Sequence, residues 1–593
     1  MHENRTEIEE RYKWDLSLVL DGDESFLKLI NEIQTSIPLL EKFKGTLNAK
    51  ENIVNYFELS RGIDLKLSRA HLYAFLKYEA NSLEASNLKH VEMVENLCVK
   101  LSASTSFVRP ELSKLDDNFL IALKKDGELS DYDRIFEDLL RNKPHTLSEE
   151  QEKLISEMGA FSDFSAVYDM LTDNEIRFDD VVARDGTVYT LNQSSYGELI
   201  RSQDQDLRKQ SHINLLKGFK NVNKTLAVNY INHLKKCNFY AKTYNYKNCF
   251  SMSLFNEEVE EDVYNSLITS VHSHLSDFYN FVQVKKDILG LDEFNIYDSY
   301  APIGNAKKFS LEYDKAYSIV IEALNLLGSE YTDVLKTAYS NRWIDVYHNE
   351  GKRSGAFSIS TETGNPFVLL NFKPTYNDIS TIAHEMGHSM HSYFSEKVQP
   401  HEKRNYEIFV AEIASTVNEI LLFKYLLKQE NDNETRKFLI SSFLENFYAT
   451  VYRQTMFSEF EYFAHSKTAN EEPLSFDELN NYYQQLLEFY FGKDTAIHDC
   501  AKFEWSRISH FYRPFYVFKY ATGYISALAI VENIEREGQR AVDNYIKFLS
   551  GGCSKKPSEL LKIAGVDILD PKTFESAFNY YGSMIEELRG MKN

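Results

Sequence analysis

The chain has 593 residues, a formal charge of -23 and a sequence pI near 5.3. A hydrophobic share of 43% with 14% aromatics excludes a disordered protein, and the length predicts two or more lobes where one core would not suffice. The acidic balance disfavours a nucleic-acid or anionic-membrane partner, which it would repel at long range.

The opening residues, Met1 to Leu20, are polar and acidic where a signal peptide needs a basic start and an apolar stretch. No apolar run approaches the roughly 18 to 20 residues that cross a bilayer. Cys98, Cys237, Cys249, Cys500 and Cys553 are widely spaced and form no C-x-x-C pair, so no disulfide framework is expected. A reducing, cytoplasmic setting is the expectation.

Long segments rich in Leu, Glu, Lys and Ala, with only 23 Gly and 11 Pro, predict a mainly α fold. Residues 1–140 read as amphipathic helices. Pro144 breaks the pattern, and Ser148 with Gln151 three positions on restarts it as a capping box. Asp185-Gly186 between Val181-Val182 and Thr187-Val188-Tyr189 is the turn chemistry of a short hairpin. Helical periodicity then runs to about residue 340. A second β-like region follows, with Gly355 to Ser360 and Pro366 to Phe372 flanking a turn at 361–365. Its edge is expected beside the helix that comes next, where an extended peptide backbone can pair.

That helix is expected to be capped by Asn377 or Asp378 and to carry His384-Glu385-Met386-Gly387-His388. At 3.6 residues per turn, both imidazoles project from one face and can meet one metal ion. Glu385, one residue on, can reach a water on that ion without binding it. A catalytic zinc commonly takes two histidines and one carboxylate. The helix from Phe409 to Ile420 offers Glu412 and Glu419 on one face, and spacing alone does not choose between them.

These residues resemble the oligoendopeptidase F group of the thimet-oligopeptidase-like zinc metallopeptidases. The likeness extends to Tyr12 to Leu16, to Lys143 to Ser148, and to Arg342 to Val346 ahead of Gly351 to Ala356. It implies Glu412 as the third metal ligand, Glu419 as a partner orienting a ligand histidine, His391 near that partner, and one Zn2+ per chain. It also implies that the aromatic stretch from His510 to Tyr524 supplies a histidine and tyrosines that donate hydrogen bonds to the substrate carbonyl. His510 and Tyr516 come first by position, then Tyr520, with Tyr524 last. The thimet branch spaces its first tyrosine one residue nearer the histidine and has a further tyrosine where this chain reads Thr522-Gly523.

The implied fold is a two-lobed helical ellipsoid with a deep substrate channel and a small β-element beside the zinc-binding helix. The implied domains are an N-terminal helical region at 1–140, an oligoendopeptidase F-type lobe at 141–200 and a catalytic domain at 201–593. The expected activity is internal cleavage of short, unstructured peptides by a metal-activated water, with Glu385 as general base. A metallocarboxypeptidase of similar fold and a non-catalytic peptide-binding protein are the alternatives.

Overall fold

The structure, a computed structural model, describes residues 4–159, 163–360 and 364–591. Helices dominate it, and the described strands are short: β1 (Val181–Val182), β2 (Val188–Tyr189), β3 (Phe294–Asn295), β4 (Ile344–Asp345), β5 (Phe357–Ile359), β6 (Phe367–Leu369) and β7 (Thr495–Ala496). The fold is mainly α, as the composition requires. No described helix is long and apolar enough to cross a membrane.

The chain divides into two compact units, each assembled from three separated segments. The first comprises Met1–Pro144, Lys307–Leu422 and Ile530–Gly565; the second comprises His145–Ala306, Phe423–Ala529 and Val566–Asn593. Each has a core of its own.

In the first unit, helices Gly22–Ser36, Lys50–Ala80 and Ala85–Thr105 pack through apolar positions at helical spacing, among them Phe26, Ile33, Leu72, Leu76 and Val94. This core extends to Phe367 and Leu369 of β6. Strand order in the sheet is β4-β6-β5, with β4 parallel and β5 antiparallel to β6. As the central strand, β6 is buried on both faces, which is why Phe367-Val368-Leu369 is continuously apolar instead of alternating. The expected hairpin is present as β5 and β6, while Thr361, Glu362 and Thr363 of its turn lie outside the described residues. Strand β4 was not anticipated. It falls in the Arg342 to Val346 stretch and is too short to show a period.

That stretch meets the amino-terminal residues. The Asp15 N–H donates to the Arg342 carbonyl at 2.8 Å, the Val346 N–H donates to the Tyr12 carbonyl at 2.9 Å, and Trp14 packs edge-on against Phe367. Fully buried Asp345 accepts from Lys352 Nζ at 2.7 Å and from the Arg5 guanidinium, whose Nη1 lies at 3.1 Å. The Lys352 ammonium and Arg5 outweigh burial and hold the Asp345 carboxyl below its ordinary range.

The second unit is organised on the 39-residue helix Gln205–Thr243, against which Tyr168, Val181, Tyr196, Leu199 and Tyr297 bury. The Asp185-Gly186 hairpin forms as expected, with Gly186 at φ 85°. Gln151 N–H donates to Ser148 Oγ at 3.3 Å and Ser148 N–H to Gln151 Oε1 at 3.0 Å, which completes the expected capping box at Glu149–Gly159.

Candidate active site

The motif helix runs from Tyr376 to Val398, and its N-cap is Thr375, not Asn377 or Asp378 as the sequence suggested. Thr375 Oγ1 accepts the Asp378 N–H at 3.2 Å, and Asp378 Oδ1 accepts the Lys373 N–H at 3.0 Å. Pro374 keeps the preceding backbone extended, so the helix starts two or three residues earlier than the side-chain pattern indicated.

The helix Ile408–Gln429 crosses the motif helix at Gly387. A Cβ at Gly387 would lie 2.5 Å from Ser415 Cα and 2.6 Å from the Ala414 carbonyl oxygen, so only glycine permits this approach. Buried Asn418 fixes the register. Its Nδ2 donates to the Ala383 carbonyl at 3.0 Å, and its Oδ1 accepts the Tyr331 hydroxyl at 2.9 Å. Sequence reading passed over Gly387 and Asn418. A glycine inside a strongly helical pattern was the available signal for the first; Asn418 offered none, because its partners are distant backbone and side-chain atoms.

This crossing places Glu412 Oε2 3.5 Å from His384 Nε2 and 3.5 Å from His388 Nε2, while the two ring nitrogens are 3.2 Å apart. His384, His388 and Glu412 are the group among the described residues whose ligand atoms converge enough to hold a metal ion. Three donors at tetrahedral positions with bonds of about 2.1 Å stand about 3.4 Å apart, so the set fits a small tetrahedral divalent cation. Burial alone would raise the Glu412 carboxyl, but the two histidines and Ser415 hold it at about 2.

Glu419, one helical repeat beyond Glu412, accepts from His384 Nδ1 at 2.7 Å. Holding the proton on Nδ1 leaves the Nε2 lone pair turned toward Glu412 and His388. Glu385 is 6% exposed, and its Oε2 is buried without a hydrogen-bond partner among the described residues. Burial, the largest influence, pushes its carboxyl above the ordinary range. Ser389 Oγ donates to the Glu385 carbonyl and contacts Ser358 Oγ of β5, both at 2.8 Å, so the sheet edge lies beside the motif helix as expected. His391 is buried with its ring stacked on Tyr406 at 3.6 Å, near Phe548.

Within the second unit, His510, Tyr516 and Tyr520 form a cluster. Ring centroids lie 5.9 Å apart for His510 and Tyr516, 6.0 Å for His510 and Tyr520, and 5.4 Å for the two tyrosines. Burial and the Arg513 charge lower the His510 imidazolium pKa, so the ring is neutral near pH 7. Tyr524 is a core residue, 4% exposed and packed edge-on against Phe447.

Comparison with known proteins identifies the family. Residues 198–580 match Peptidase family M3, and residues 111–178 match Oligopeptidase F. The chain is 36% identical over 593 residues to an oligoendopeptidase F homolog of Borreliella burgdorferi, covering 99% of both chains. It is 34% identical to the oligopeptidase PepF of Bacillus subtilis, covering 99% of this chain and 88% of that one. The crystal structure of oligoendopeptidase-F from Enterococcus faecium superposes with a TM-score of 0.72 at 29% identity, covering 96% of this chain and 99% of that one. The chain belongs to peptidase family M3, and it is a metalloendopeptidase whose substrates are peptides.

Proposed function

We propose that this peptidase holds one zinc ion on His384, His388 and Glu412 and cuts internal bonds of short, unstructured oligopeptides in a reducing cytoplasm. The observation that carries the reading is the convergence of two imidazole nitrogens and one carboxylate oxygen at 3.2 to 3.5 Å. Two nitrogens and one oxygen suit zinc among the common divalent ions. The names of the relatives above, oligoendopeptidase and oligopeptidase, support the substrate size. The five cysteines, all free, support the compartment.

Zinc bound there supplies Lewis acidity to an attacking water and to the scissile carbonyl. Glu385 is the general base: it takes the proton of the attacking water and passes it to the leaving amine. Its burial and raised pKa suit a group that must both accept and return a proton. Glu419 fixes the His384 tautomer and ring. His510 and Tyr516, with Tyr520 beside them, form a cluster of donors of the kind that suits a carbonyl oxygen as it gains charge, and the resemblance assigns them that role.

The test is cleavage of a quenched fluorescent peptide of about ten residues by wild type, by chelated enzyme restored with zinc, and by Glu385→Gln. Internal cleavage restored by zinc, with one zinc per chain, and lost in Glu385→Gln while zinc stays bound, is expected. Trimming of C-terminal residues alone, or a Glu385→Gln enzyme as active as wild type, overturns it.

A further inference from the structure

Phe515 stands between Pro514 and Tyr516 with φ 54°, in the left-handed region that a bulky side chain rarely enters. Such a conformation persists only where the surroundings over-determine it. Its ring is 1% exposed, packed between Phe250 at 4.9 Å and His465 at 4.8 Å. Its backbone N–H, turned inward by the unusual φ, donates to Glu461 Oε1 at 2.7 Å.

Glu461 lies on helix Arg453–Ala469 and is 0% exposed, and its Oε2 has no hydrogen-bond partner among the described residues. A fully buried carboxyl is a costly way to fill core volume, and here its one hydrogen bond goes to the residue that precedes Tyr516. Burial raises its pKa well above the ordinary range, because a charged carboxylate would be stripped of water there. On the other side of the same turn, Lys519 pairs with Glu257 and lies 5.0 Å over the Tyr516 ring.

We infer that Glu461 is a positioning residue for Tyr516: by accepting the Phe515 N–H it fixes the left-handed backbone just before the tyrosine and so sets the phenol beside His510. The inference rests on the reading of Tyr516 as a donor to the substrate carbonyl. Glu461 itself is fully buried and acts through the backbone of Phe515.

The experiment compares zinc-loaded wild type, Glu461→Met, Glu461→Gln, Tyr516→Phe and the Glu461→Met/Tyr516→Phe double variant on one internally cleaved peptide. Methionine keeps the buried volume and removes the acceptor; glutamine keeps the acceptor. Glu461→Met is expected to lower kcat about 10- to 100-fold with KM little changed, because a misplaced donor is felt in the transition state. Glu461→Gln is expected to retain most of the activity, and the double variant to be no slower than Tyr516→Phe. A Glu461→Met enzyme with wild-type kcat, or one losing the same factor with and without Tyr516, overturns the inference.

If Tyr516→Phe is as fast as wild type, the donor reading of Tyr516 fails on its own. The positioning claim is then decided by the crystal structure of Glu461→Met. A residue 515 that leaves the left-handed region and shifts Tyr516 supports it, and an unchanged turn overturns it. Should Glu461→Met not fold, Glu461→Ala is held to the same outcomes.

Discussion

Gly387 approaches Ser415 so closely that the Cα of one helix occupies the space where the other would carry a side chain. The space inside the His-Glu-Met-Gly-His motif is thus a contact requirement of the Glu412 helix as well as a spacing between two histidines.

Replacement of Gly387 by alanine should force the helices apart. The expected cost is about 1 to 3 kcal/mol of stability, with Glu412 withdrawn from the histidines. Bound zinc, measured by elemental analysis after dialysis, should fall below one per chain, and kcat/KM should fall by about 100-fold. Full metal occupancy with unchanged activity would show that the helix pair yields without moving Glu412.

Glu419 should matter to metal affinity more than to the chemical step. Removing a carboxylate that orients a ligand histidine commonly weakens binding about 10- to 100-fold. Glu419→Ala, titrated against a chromophoric chelator, should show a loss of that size, and saturating zinc should recover much of the activity. Unchanged affinity would mean that the 2.7 Å contact with His384 is incidental to the site.

The Asp345 cluster gives a stability prediction independent of catalysis. Asp345→Asn leaves Arg5 and the fully buried Lys352 ammonium without a carboxylate, an expected loss of about 3 to 5 kcal/mol. The denaturation midpoint should drop accordingly, and Asp345→Leu combined with Lys352→Met should recover most of it. A single substitution that leaves the midpoint in place would refute the cluster as the anchor of the amino-terminal segment.

Acid should weaken the second unit through its buried histidines. Burial lowers His465 and His212 from 6.5 to about 3, and His498 to about 4, while His212 Nδ1 and His498 Nε2 share a 2.7 Å hydrogen bond. Their folded pKa values are depressed, so their stabilising contribution is complete above 6.5 and shrinks as pH falls toward the folded values. At pH 5 each costs about 2 kcal/mol relative to neutral pH. His465→Leu, which removes a ring with no hydrogen-bond partner among the described residues, should show a shallower fall of the urea midpoint between about pH 7 and pH 5. A slope identical to wild type would exclude His465 as a contributor.

The parts legible in the sequence were those governed by local rules. Two histidines four apart with a glutamate between them define a face, Ser148 and Gln151 define a cap, and Asp185-Gly186 defines a turn. The hidden parts depend on what meets across the chain. Strand β4 is two residues long and exists because Ile344 and Asp345 pair with Val368 and Leu369. The motif helix begins at Tyr376, capped by Thr375, because Asp378 is used inside its first turn. Glu461 carries no local signal in the sequence, and only the left-handed Phe515 reveals its use.

The contact of Arg5 with Asp345 spans 340 positions of sequence, and the first unit also takes in residues up to Gly565. A ribosome delivers these pieces far apart in time. The helices of the first 144 residues emerge early, yet the strand that receives their amino-terminal segment is still unmade. Completion of this unit therefore waits until its third segment, Ile530–Gly565, has been made, and the nascent helical bundle must hold its exposed apolar edge until β4 and β6 arrive.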